Sequence, residues 1–139
     1  MKKEKLCGAV IYRYNINKLE ILLLKHNSGH WSFAKGHVKD NETEEETAIR
    51  EIKEETNLDC VLDNSFRFVN TFSPLQDVVK NVIYFIGYPS NDSLKIDNNE
   101  ISEYKWLSVE DAYNTLTFDN DKEVLRKALE YITDEKKGN

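Results

Sequence analysis

The sequence changes period at Thr43. From Leu6 to Ala34 the apolar residues come in short β-branched and aromatic runs. Leu6–Tyr14 and Leu19–Lys25 read as strands joined at Asn15-Ile16-Asn17, a hairpin with a short loop. Asn27-Ser28-Gly29 is a second turn, and His30–Ala34 a short strand leading to Gly36. Thr43 to Thr56 then shows a helical pattern with Ala48, Ile49 and Ile52 as its apolar face. Thr43 and Glu46 form a capping box, and Glu44, Glu45 and Glu46 suit the positive end of the helix dipole. Asn57 can close the helix in a left-handed conformation. Strands resume at Leu58–Leu62, Phe66–Phe72, Val78–Tyr88 and Glu103–Leu107. Ser108 caps a helix through Thr115, and a last helix spans Asp119–Thr133, ahead of a flexible polar tail over residues 134–139. Strands on both sides of one helix, with two helices at the end, predict an α/β chain: a mixed β-sheet sandwiched between α-helices.

The 139 residues fit one domain, residues 1–139, large enough for a core without disulfides. The formal net charge of −6 argues against a whole-surface attraction to nucleic acid or anionic membrane. It leaves room for an anionic small molecule at a local cationic pocket or a bound divalent ion. Cys7 and Cys60 have no metal-type spacing and read as buried thiols. With no long apolar stretch near the N-terminus, the expectation is a cytoplasmic protein in a reducing compartment, and a monomer.

The chemistry concentrates in GHVKDNETEEETAIREIKEETNL, Gly36 to Leu58. On a helix Glu51 and Glu55 share a side, with Glu54 nearby, and the first two border the apolar stripe. Runs of glutamates usually face water. Carboxylates at a core boundary instead repel each other and resist desolvation, a conflict that a hard divalent cation with oxygen ligands resolves.

The spacing itself is specific. Gly36, Glu42, Arg50, Glu51, Glu54 and Glu55 stand in the register of the Nudix box, and the segment resembles that of the Nudix hydrolase family. At about 7% per position, six fixed residues match by chance roughly once in ten million starts. Asn57 departs from the family's Gly, a change compatible with the same left-handed cap. The resemblance implies the Nudix fold and a hydrolase of phosphoanhydride bonds. Glu51, Glu54 and Glu55, with the Gly36 carbonyl, would hold Mg²⁺, with Mn²⁺ as a substitute. Arg50 would orient the glutamates by pairing with Glu42.

The likeness continues outside the box. His30-Trp31-Ser32-Phe33-Ala34-Lys35-Gly36-His37-Val38 resembles the lead-in of the asymmetric diadenosine tetraphosphate hydrolases of animal and archaeal type, with Ala34 replacing a proline. Asn81–Phe85 and Tyr104–Leu107 resemble later strands of that group, with Lys80 and Glu100 ahead of them. The resemblance implies a dinucleoside polyphosphate substrate gripped by Lys35, His37, Lys80 and His30, and an adenine slot at Tyr84 and Phe118. Tyr84 reads equally well as core, and Phe118 as a staple for the last helix. Glu100 could be a metal ligand or the base, and Glu54 the base instead. Other Nudix substrates stay open here, as does a nucleotide-binding module without activity: an RNA 5′ end, an oxidised nucleoside triphosphate or an inositol pyrophosphate. Trp31 and Trp106 read as packing residues, and His26 fits no motif.

Overall fold

The computed structural model describes residues 1–137. Strand β1 (Lys2–Asn15) runs through the middle of a mixed seven-stranded sheet. It turns back into β2 (Lys18–His26) through Ile16 and Asn17, both at positive φ. Two such residues match the right-handed twist of a tight hairpin. The expected strand before Gly36 is two shorter ones. These are β3 (Trp31–Ser32), which pairs with β2, and β4 (Ala34–His37), which pairs with β1. Helix α1 (Glu44–Thr56) follows, then β5 (Cys60–Phe72) and β6 (Val78–Pro89). The two strands expected in the β5 region are one, irregular where Asp63 faces Ile86 and Phe68 faces Tyr84. β7 (Ile101–Ser108) joins the far edge of β2, and α2 (Val109–Thr115) and α3 (Asp119–Lys137) complete the chain.

β1 pairs in parallel with β6 along one edge, and on the other edge antiparallel first with β4 and then with β2. Alternation then divides the core. Leu6, Val10, Ile21, Leu23, Val82 and Ile86 face α2 and α3, while Cys7, Ala9, Ile11, Leu22, Ile83 and Phe85 face α1. This is the expected sheet between helices. Two details differ from expectation. Ile49 is 46% exposed, because the buried side of α1 consists of Thr47, Ala48, Glu51, Ile52, Glu55 and Thr56, four of them polar or charged. The last helix also runs on to Lys137, since Glu and Lys are strong helix formers, so the expected tail is helical over 134–137. Residues 138 and 139 lie outside the described residues. Cys7 and Cys60 are free thiols, raised by burial to about 11 and about 12. No helix among the described residues is long and apolar enough to cross a membrane.

Candidate active site

Helix α1 is set at both ends. Thr43 Oγ1 accepts from the Glu46 amide and Glu46 Oε1 from the Thr43 amide, the reciprocal capping box. Asn57 stands at φ 63°, ψ 6°, its amide donating to Lys53 O and its side chain to Ser93 O. Fixed this way, the helix lays Glu51 (7% exposed) and Glu55 (2%) against β4 and leaves Glu54 half-exposed.

Arg50 binds most of this segment together. Its Nε and Nη2 reach both Glu42 oxygens at 2.6 and 3.0 Å, and Nη2 also donates to His37 O at 3.0 Å. Nη1 donates to Glu51 Oε1 at 2.8 Å and sits 3.3 Å from both Glu54 oxygens. The planar guanidinium serves several acceptors at fixed angles, which a lysine could not do. Hydrogen bonds from Arg50 and from the Lys39 amide hold the Glu42 carboxyl down at about 2.

Carboxylate oxygens of Glu51, Glu55 and Glu100 lie within 4.8 Å of one another. Burial, then the neighbouring Glu51, raises the Glu55 carboxyl well above the usual range, and its buried Oε1 has no partner among the described residues. Burial and Glu51 raise Glu100 as well. Three acidic groups brought from a helix and a loop, one with an orphaned oxygen, form a donor set suited to a hard divalent cation. Gly36 belongs to the same place. A Cβ there would strike the Glu51 carboxyl group, so only glycine lets the helix carboxylate reach this strand. Glu54 is outside the trio, turned to Arg50.

A cavity of about 480 Å³ opens nearby, lined in part by His30, Lys35, Lys80, Tyr84, Phe118 and Asp121. The sheet register explains how they meet. Lys35 of β4 and Tyr84 of β6 flank Gly8 of β1 on either side, and a Cβ on Gly8 would strike Ala34 O and Lys35. Tyr84 is fully buried, edge-on to Phe33. Core packing and cavity lining are thus both true of it. Phe118 is half-exposed, 5.4 Å from the His30 ring, and its carbonyl accepts from the first turn of α3. His30 stacks on His26 at 4.6 Å, and Ser28 Oγ lies 2.8 Å from its Nδ1. His26, without a role in the sequence, is the back wall of that stack, and burial lowers its imidazole to about 3. His37 is not in the cavity. Its ring is exposed and 2.7 Å from Glu4. Burial lowers the Lys35 ammonium.

The cavity also uses Asn70, Phe72, Pro74 and Asp121, which sequence reading passed over. Asp121 stands in the first turn of a helix, where an acidic residue is already accounted for by the dipole. Asn70 and Phe72 give no signal distinct from an alternating strand. A cationic, partly aromatic cavity beside a carboxylate trio can hold a phosphate chain and a ring together.

Residues 7–129 match the NUDIX domain family. The chain is 33% identical to the asymmetrical bis(5′-nucleosyl)-tetraphosphatase of Caenorhabditis elegans, covering 92% of this chain and 96% of that protein. It is 29% identical to the Mus musculus protein of the same name, over 91% and 93% of the two chains. The crystal structure of a C. elegans Ap4A hydrolase binary complex superposes with a TM-score of 0.86 at 30% identity, covering 94% of this chain and 98% of the other. The chain belongs to the Nudix hydrolase family.

Proposed function

We propose that this enzyme cleaves diadenosine tetraphosphate asymmetrically, giving ATP and AMP, with Mg²⁺ as its cofactor. The observation that carries the reading is the adjacency of two parts: a carboxylate trio and a cavity bearing Lys35, Lys80 and His30. Relatives named for this reaction match nearly the whole chain. A bridge with about four negative charges needs cationic side chains in addition to metal ions.

Glu51, Glu55 and Glu100 are the proposed ligands, with the Gly36 carbonyl beside them. Held by these residues, Mg²⁺ would supply polarisation of a phosphoryl oxygen and acidification of a water. Lys35 and Lys80 grip the bridge, His30 extends that grip at the cavity mouth, and Phe118 forms a wall for adenine. Glu54 is the proposed base, since it stands outside the trio and half-exposed, where a proton can leave to solvent. Arg50 holds its carboxylate and that of Glu51 in place. His37, turned to Glu4, has no part in the grip. Free thiols agree with a cytoplasmic setting.

The test is a panel with Mg²⁺: diadenosine tetraphosphate, triphosphorylated RNA, oxidised dGTP and an inositol pyrophosphate. Diadenosine tetraphosphate should give the highest kcat/KM. A better rate on any other member would refute the substrate.

A further inference from the structure

An acidic residue in a cavity for a polyanion needs an explanation. Asp121 is 6% exposed and lines the same cavity as Lys35 and Lys80. A bare carboxylate there would repel phosphate and would itself be costly to bury. Its Oδ2 accepts from Ser32 Oγ at 2.8 Å, and Ser32, which is wholly buried, accepts from Lys35 Nζ at 3.2 Å. The Asp121 amide donates to Phe118 O at 3.1 Å. The three side chains come from α3, β3 and β4, so the tertiary fold assembles this line.

We propose that Asp121, acting through Ser32, is a positioning device that holds the Lys35 ammonium ready for the phosphate bridge. In this role Asp121 and Ser32 act through Lys35, which makes the phosphate contact. A lysine has three donors on a four-carbon stem with much rotamer freedom. The Ser32 hydroxyl occupies one donor and fixes the stem, leaving two for phosphate oxygens. A direct Asp121–Lys35 pair would hold the ammonium more tightly, but would place the carboxylate where phosphate must go. The intervening hydroxyl keeps the balancing charge close and one step behind. The bond from the Asp121 backbone amide to Phe118 O links the same residue to the aromatic wall, so the start of α3 supports both halves of the cavity.

The proposal rests on Lys35 meeting the phosphates, and a double-mutant cycle separates the two claims. KM and kcat for diadenosine tetraphosphate are measured for Ser32→Ala, Ser32→Thr, Asp121→Asn and Lys35→Met, and for the first and third combined with Lys35→Met. Thermal melts confirm that each variant folds, and Ser32→Ala and Ser32→Thr decide the matter if Asp121→Asn does not. Ser32→Ala and Asp121→Asn should each raise KM about tenfold, the scale of a lost hydrogen bond to a charged group, with kcat within twofold. Ser32→Thr, which keeps the hydroxyl, should recover most of that loss. In the Lys35→Met background neither change should raise KM further. Additive effects there would overturn the positioning role while leaving the phosphate role of Lys35 intact. An unchanged KM in Lys35→Met alone would overturn both.

Discussion

Glu55 shows what the site asks of single residues. It is nearly solvent-free, beside Glu51, with one oxygen unpaired among the described residues. Such a group is costly to bury as a bare carboxylate, and a bound cation would offset that cost. Glu51→Gln should therefore abolish both turnover and the rise in Tm on adding Mg²⁺, whereas Glu54→Gln should lower kcat by about 10²–10⁴ and keep that rise. Thermal melts with and without Mg²⁺ beside steady-state rates distinguish the two roles. Gly36→Ala presses a Cβ onto the end of the Glu51 side chain, which can swing away. The fold should survive, and kcat/KM should fall about a hundredfold from the displaced ligand. His26 predicts a pH effect. Its pKa is about 3 when folded against 6.5 when free, so acid favours the unfolded chain, which takes up the proton. The contribution is complete above pH 6.5 and is lost as pH falls toward 3. Between pH 7 and 5, Tm should drop more in the wild type than in His26→Phe, which keeps the stack and cannot titrate. Equal slopes would contradict the buried neutral imidazole.

At the level of elements, α1 was the most legible part of the chain. Its cap, its acidic first turn and its end at Asn57 all follow from local chemistry that needs no partner strand. Thr43→Ala should cost about 1 kcal/mol by chemical denaturation, through loss of the capping hydrogen bond. Asn57→Ala should also cost about 1 kcal/mol, because alanine resists φ 63°, while Asn57→Gly stays within about 0.5 kcal/mol. The buried side of α1 was less legible. Ile49 is as apolar as Ile52, and the seating of α1 on β1 and β4 decides that Glu51 and Glu55 are covered and Ile49 is not. Likewise the split of residues 30–37 into β3 and β4 depends on two different partner strands, β2 and β1.

Across the whole molecule, the order of elements gave the mixed sheet between helices, but not the pairing. β1 lies parallel to β6 although its paired residues are 76 positions apart, as Lys2 and Val78 are, and no local signal records that contact. The same long-range pairing brings Lys35 and Tyr84 to either side of Gly8. It also explains why the box glutamates could be named from the sequence while Asp121 and Ser32 could not. The former share one helix and a strict spacing, whereas the latter meet across 89 positions. A chain with net charge −6 thus presents a local cationic cavity to an anionic substrate. The direct measurement is the product ratio from diadenosine tetraphosphate, resolved by anion exchange with Mg²⁺ and again with excess chelator. ATP and AMP should form in equal amounts with Mg²⁺ and neither with chelator. Two molecules of ADP, or cleavage that continues in chelator, would contradict the assignment.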